Sequence, residues 1–142
     1  MTNKEYLRQA YRLDQKINSD IEEVARLREM AGNISSPVLG DKVQTSRNRD
    51  GLFVRNMEKI LLLEEKINRE IDALVDLKSQ MRDVIAAVQD TDERMVLRYR
   101  YIHNLTWEQI GNELNADKST IRRWHGSALA DVVLPENPIK IF

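Results

Sequence analysis

The sequence contains no cysteine and only two histidines, His103 and His125. Without cysteine, neither a disulfide framework nor a thiolate metal site is available. Neither histidine has a partner at a metal-ligand spacing or a candidate nucleophile beside it, and no glycine-rich phosphate loop occurs. We therefore expect no metal, no cofactor and no catalytic residue, and we expect the protein not to be an enzyme. We interpret both histidines as making capping or backbone contacts.

Long apolar segments are missing as well. No run approaches the roughly 20 apolar residues that a helix needs to span a bilayer, and the first residues, MTNKEYLRQ, lack the apolar core of a signal peptide. We therefore expect a cytoplasmic protein without a membrane partner.

Positive charge is not in excess. The formal net charge is −1 over 142 residues, and residues 91–142 hold equal numbers of basic and acidic side chains. Proteins that coat nucleic acid do so through bulk positive charge, and this composition excludes that mode. Any DNA contact has to come from a local basic patch, strengthened by dimerisation.

Helix-forming residues are abundant, and their pattern predicts an all-α fold. Hydrophobic residues make up 42% of the chain and charged residues 32%. From residue 3 to about residue 30, apolar side chains recur at steps of three and four, which indicates an amphipathic helix that has to pack against a partner. These side chains are Tyr6, Ala10, Leu13, Ile17, Ile21, Val24 and Leu27.

A second long helix is predicted from residue 51 to about residue 89. Five apolar residues recur there at seven-residue intervals, as in a coiled coil; they are Ile60, Ile67, Leu74, Met81 and Val88. Further apolar positions make the stripe too wide for one partner helix. We therefore predict that residues 1–90 form an antiparallel helical hairpin with a long loop at about 31–51, and that this scaffold forms a homodimer.

Residues 91–134 read as three short helices. Asp90 or Thr91 can cap the first, and Thr106 with Gln109 forms a capping box at the start of the second. The turn at residues 115–117 precedes the third helix, which Asp117 can cap. One face of that helix is apolar, formed by Ile121, Trp124, Ala128, Leu129 and Val132. Trp107 and Trp124 are interpreted as core residues of this small domain.

The opposite face of the third helix is polar and basic at its start. Lys118, Ser119, Arg122 and Arg123 lie within the first turn and a half. A recognition helix reaches base edges with this end, and arginine can pair bidentately with guanine. The pattern predicts a small helix-turn-helix domain at 91–134 with these four DNA-binding residues, followed by a C-terminal tail at 135–142. A solvated helix face is the alternative interpretation of the arginine pair.

The run LRYRYIHNLTWEQIGNELNADKSTIRRWHGSAL resembles the region-four helix-turn-helix of bacterial sigma factors. The matching positions are Leu97 and residues 99–102, 106–114 and 121–129. Together with its helical N-terminal half, the chain is similar to small phage-encoded late transcription regulators of the ArpU and RinA type. The N-terminal half matches only in layout and has nothing like a promoter-melting region. The resemblance implies a sequence-specific transcription regulator in which Lys118, Ser119, Arg122 and Arg123 read double-stranded DNA.

Two other functions fit the same pattern. A phage small terminase subunit also joins a helix-turn-helix to a helical oligomerising segment and binds packaging-site DNA, but it forms a ring of many subunits. A coiled-coil adaptor would use its C-terminal domain to contact RNA polymerase and would not bind duplex DNA.

Overall fold

The computed structural model describes the backbone of residues 1–35 and 43–142 and the side chains of residues 1–32 and 51–142. Within these ranges the chain is helical and has no strand, so the predicted all-α fold is confirmed. The helices are α1 (Asn3–Ser35), α2 (Val43–Ala86), α3 (Thr91–Leu97), α4 (Trp107–Leu114) and α5 (Lys118–Asp131). A π-helical turn, Arg98–Ile102, continues α3.

The segment predicted as a loop at about 31–51 is helical at both of its ends. α1 continues to Ser35 and α2 begins at Val43, while residues 36–42 lie outside the described part of the chain. Gly32 and Gly51 lie inside these helices in open surroundings. A glycine in a helix interior costs only about 1 kcal/mol relative to alanine. The predicted loop therefore included residues 31–35 and 43–51, which are helical.

The described chain forms two compact units, one of residues 15–72 and the other of residues 1–14 with 73–142. In the first unit, apolar side chains of both long helices are buried: Ile17, Val24, Ala31, Ile60 and Ile67. Arg28 forms an ion pair with Glu64, and Lys66 Nζ lies 3.8 Å from a carboxylate oxygen of Asp20. The later residue of α1, Arg28, pairs with the earlier residue of α2, Glu64. This order is the one expected for an antiparallel helix pair.

The second unit contains two hydrophobic cores. The larger core combines the start of α1 and the end of α2 with residues of the segment 97–102 and of α5. Its buried members include Tyr6, Leu7, Ala10, Leu77, Met81, Ile85, Val88, Leu97, Tyr101, Ile102, Ala128 and Val132. The division between the two units does not fall near residue 90, and the domain boundary predicted there stays a prediction. From the segment after residue 90, the larger core includes Leu97, Tyr101, Ile102, Ala128 and Val132. The small core lies within that segment and consists of Val96, Ile110 and Ile121.

The start of α1 also completes the end of α5. The Nδ2 atom of Asn3 donates hydrogen bonds of 2.8 Å to the backbone carbonyls of Leu129 and Val132. The last carbonyls of a helix have no partner within the helix. Asn3 thus caps α5 from a position 126 residues away from Leu129.

The segment predicted as a tail, residues 135–142, docks onto the same unit through two glutamines. Gln9 donates to the Ile139 carbonyl at 2.9 Å and accepts from the Ile141 N–H at 2.7 Å. Gln80 accepts from the Ile139 N–H at 2.9 Å and donates to the Asn137 carbonyl at 3.1 Å. Each side-chain amide binds the backbone as a neighbouring strand would. Ile139 and Ile141 then pack against the core.

Candidate nucleic-acid interface

The first helix of the predicted motif begins at its predicted cap. The Asp90 carboxylate accepts from the Glu93 N–H at 3.0 Å, and Val96 is fully buried. After Leu97 the backbone N–H groups bond to the carbonyl five residues earlier instead of four. The His103 N–H, for example, donates to the Arg98 carbonyl at 3.1 Å. The segment ends at Asn104, whose φ of 57° is left-handed. The first helix of the motif therefore ends through a π-helical turn, which periodicity did not indicate.

The second helix carries the predicted capping box. The Thr106 hydroxyl accepts from the Gln109 N–H at 3.2 Å, and the Gln109 side chain accepts from the Thr106 N–H at 2.9 Å. These two bonds satisfy donors that would otherwise have no partner at a helix start. Ile110 is fully buried and Leu114 packs against the small core, so these two side chains form the inner face of α4.

The turn between α4 and α5 depends on a glycine that the pattern did not single out. Asn115 takes a left-handed conformation, with φ of 52°, and the Ala116 N–H donates to the Gly111 carbonyl at 3.0 Å. A β-carbon at Gly111 would lie 2.7 Å from the Ala116 carbonyl oxygen. Real β-carbons do not approach backbone oxygen that closely. Gly111 thus allows the turn to fold tightly back on α4.

Asp117 caps the start of α5, as predicted. The carboxylate accepts from the Thr120 N–H at 2.7 Å. Hydrogen bonds from Thr120 lower the pKa of Asp117, and the charge of Arg123 lowers it further. On the inner face, Ile121, Ala128 and Val132 are buried, while Trp124 and Leu129 pack partly buried against the cores, in agreement with the predicted apolar face.

All four predicted DNA-binding residues, Lys118, Ser119, Arg122 and Arg123, are exposed on the outer face of α5. The same exposed stripe continues with small side chains at Gly126, Ser127 and Ala130. From residue 118 to residue 130 it contains neither an acidic nor a bulky apolar side chain. The outer face is thus basic at its start and narrow along its remaining length.

His125 differs from the prediction that it makes a capping or backbone contact. Its Nε2 lies 2.6 Å from the Tyr101 hydroxyl, and its ring meets the Trp107 ring edge-on with centroids 4.6 Å apart. Burial, with the charges of Lys4 and Arg100, lowers the pKa of His125 to about 4. Burial raises the pKa of Tyr101 to about 12. Both groups are therefore uncharged at neutral pH.

Trp107 packs against the small core, as predicted, and also meets a cation. The Arg100 guanidinium lies 4.3 Å from the centre of the Trp107 ring and donates to the Leu105 carbonyl at 3.0 Å. Sequence reasoning missed this contact because Arg100 and Trp107 are brought together by the π-helical turn. The RYRY repeat before the second helix is the sequence signal for this contact.

Comparison with known protein families assigns the chain to one of them. The model of the family described as "protein of unknown function (DUF722)" matches residues 5–132, which include most of α1 and the whole of α2 to α5. Neither a curated protein nor a solved structure matches the chain. Among the described residues, no helix is long and apolar enough for a membrane span, and no three side chains of the metal-binding types are grouped to hold an ion.

Proposed function

The chain belongs to the DUF722 family, and we propose that it is a sequence-specific DNA-binding regulator of transcription. One observation carries the proposal: a capped, tightly turned helix pair, α4 and α5, exposes Lys118, Ser119, Arg122 and Arg123 together at the start of the second helix. The first helix of such a motif crosses the DNA backbone, and the second enters the major groove with its N-terminal residues on base edges.

The shape of the α5 surface supports entry into a groove. The B-DNA major groove, roughly 12 Å wide, admits an α-helix. Small side chains at Gly126, Ser127 and Ala130 keep the outer face narrow behind the basic residues. In this arrangement Arg122 and Arg123 contact guanine edges, while Lys118 and Ser119 hold phosphate or a base edge.

The formal net charge of −1 favours a protein that binds DNA as a dimer. A single helix-turn-helix with a few base contacts binds weakly, whereas two readers on one scaffold gain effective concentration and span two half-sites. In the unit of residues 15–72, apolar side chains remain exposed on α2, with Leu61 55% and Leu62 66% accessible. We assign this face to a homodimer contact.

The resemblance to sigma region four and to ArpU and RinA regulators supports a role in phage or prophage transcription. Residues 97–129 carry that resemblance, and they include the whole of α4 and the exposed start of α5. A regulator of this type acts at promoters, so RNA polymerase is the second macromolecule we propose as a partner.

The experiment begins with selection of duplexes from a random library by the full-length protein at low salt. Affinity for the selected duplex is then measured for Arg122→Ala and Arg123→Ala. Each should lose about 1–3 kcal/mol of binding free energy if it reads a base. Arg82→Ala, which removes an exposed arginine of α2, is the matched control and should bind as the wild type does. Melting temperatures of all variants should stay close to the wild type because these side chains are exposed.

Three outcomes contradict the proposal in different ways. Equal affinity of the wild type and the double arginine variant would remove α5 as the reader. Failure to select any duplex would favour the adaptor that contacts RNA polymerase. A ring-sized assembly in light scattering of the full-length protein would favour a small terminase subunit over a dimeric regulator.

A further inference from the structure

A cavity of about 430 Å³ opens between the start of α1, the π-helical turn and the start of α4. Its volume falls in the range of about 300–1,000 Å³ that is typical of small-ligand sites. Three cations, Lys4, Arg8 and Arg100, line it together with Tyr11 and Trp107. We call this space the basic cavity. None of the predicted DNA-binding residues lines it.

The basic cavity has no acidic lining residue, so its positive charge is not neutralised locally. Lys4 and Arg8 are one helical turn apart on α1 and project from the same face. Arg100, which lines the same cavity, is held in place by the Trp107 ring and the Leu105 carbonyl. The charges of Lys4 and Arg100 disfavour protonation of His125, which also lines the cavity.

One polar atom in the lining lacks a partner. The Oδ1 atom of Asn104 is buried and accepts no hydrogen bond, although the great majority of buried polar atoms in proteins are bonded. Asn104 lines the basic cavity, and its left-handed backbone sets where its side chain lies. Asn104 thus adds a buried amide to the wall of the basic cavity.

We propose that the basic cavity binds a phosphorylated ligand of mononucleotide size. A phosphate monoester carries about −1.5 to −2 charges at neutral pH, which suits three cations better than a single carboxylate does. The cavity is much larger than a phosphate group, and its aromatic walls offer faces for a planar ring. A nucleobase supplies such a ring.

The DNA backbone carries the same chemical group. The start of α4 at Thr106 lines the basic cavity, and the first helix of a helix-turn-helix crosses the backbone. The test therefore has one arm for free nucleotides and one arm for duplex DNA. The first arm is independent of the proposed function, since it needs no DNA.

In the first arm, the full-length protein is titrated calorimetrically with the four ribonucleoside monophosphates, their nucleosides and inorganic phosphate. At least one monophosphate should bind more tightly than its nucleoside and than phosphate alone. Lys4→Ala and Arg8→Ala should weaken that binding by roughly tenfold or more, as loss of a charge-assisted hydrogen bond does. Arg82→Ala, which alters an arginine outside the cavity, should leave it unchanged. Both cavity residues are exposed, and unchanged melting temperatures will verify that the variants fold.

In the second arm, duplex binding is measured against salt for the same variants. If no free phosphate compound binds but Arg8→Ala weakens all duplexes equally and lowers the log–log salt slope by roughly 0.9, the phosphate is that of DNA and the small-ligand form is overturned. Nucleotide binding without any duplex binding would uphold the cavity site and overturn the proposed function. No effect of Lys4→Ala or Arg8→Ala in either arm would overturn the inference entirely.

Discussion

The side chain of Gln9 binds the backbone of Ile141, accepting its N–H at 2.7 Å while 4% of the glutamine remains exposed. The same amide donates to the Ile139 carbonyl. The last residues of the chain therefore form part of the folded unit that contains the start of α1.

Gln9→Ala tests this docking. The substitution leaves the Ile139 carbonyl and the Ile141 N–H without their partner, so unfolding free energy should fall by about 1–3 kcal/mol, the cost of an unsatisfied buried group. Urea denaturation measures the loss, and hydrogen exchange should show faster exchange at Ile141. Gln89→Ala, at an exposed position, is the control and should change stability by less than about 0.5 kcal/mol. Equal stability of the two variants would show that Gln9 does not hold the tail.

Gly111→Ala tests the turn between α4 and α5. The added methyl would meet the Ala116 carbonyl at 2.7 Å, so the turn has to shift, and we expect a loss of about 1–3 kcal/mol with weaker DNA binding. Gly126→Ala is the matched control because nothing lies within 4 Å of its β-carbon position. That change should stabilise the protein by about 0.4–1 kcal/mol. Thermal melting of both variants decides the matter, and a stable Gly111→Ala protein would contradict the close approach.

Glu93 gives α3 a pH-dependent contact with α5. A hydrogen bond shared with Asp131 and burial raise the pKa of Glu93 to about 7. A raised carboxyl pKa means that the contact stabilises the fold fully below the unfolded value, near 4.5, and that this contribution is lost as pH rises through about 7. Glu93→Gln should therefore melt higher than the wild type at pH 8, with a smaller gain at pH 5. A gain that does not depend on pH would contradict the shared proton. Glu113→Gln, at an exposed position of α4, serves as the control.

His125 should have the opposite effect on acidification. Its folded pKa of about 4 lies below the usual 6.5, so the neutral ring contributes stability above pH 6.5 that is lost as pH falls toward 4. The ring titration is measured by NMR, with His103→Gln used to assign the two histidine signals. The difference in melting temperature between wild type and His125→Gln should shrink between pH 6.5 and 4. A ring that titrates near 6.5 would contradict its burial against Tyr101.

The parts of the fold that were predicted from the sequence depend on neighbours along the chain. The caps at Asp90, Thr106 and Asp117 need residues only three positions away, and the apolar face of α5 follows from helical periodicity. The exposure of Arg122 and Arg123 follows from the same periodicity once Ile121 is inside. Local pattern was therefore enough to place the candidate DNA-contacting residues on one surface.

The parts that were missed depend on residues far apart in sequence. Nothing in periodicity pairs Tyr6 with Gln80, whose side chains share a hydrogen bond of 2.8 Å across 74 positions. The basic cavity joins Lys4 to Arg100 in the same way. The alternating apolar residues Ile139 and Ile141 were a visible signal that the tail packs as an extended segment. Their meaning depended on Gln9 and Gln80, which look like ordinary surface residues of long helices.

The hydrogen bond from Asn3 to the Leu129 carbonyl can form only after most of the chain has been synthesised. On the ribosome, Tyr6, Leu7 and Ala10 leave the exit tunnel long before the residues that cover them between 97 and 132 are made. Contacts between such distant residues form late because a long chain segment has to close first. During synthesis the end of α2 can therefore cover only part of the first turns of α1, and the shared core closes only after α5 has emerged.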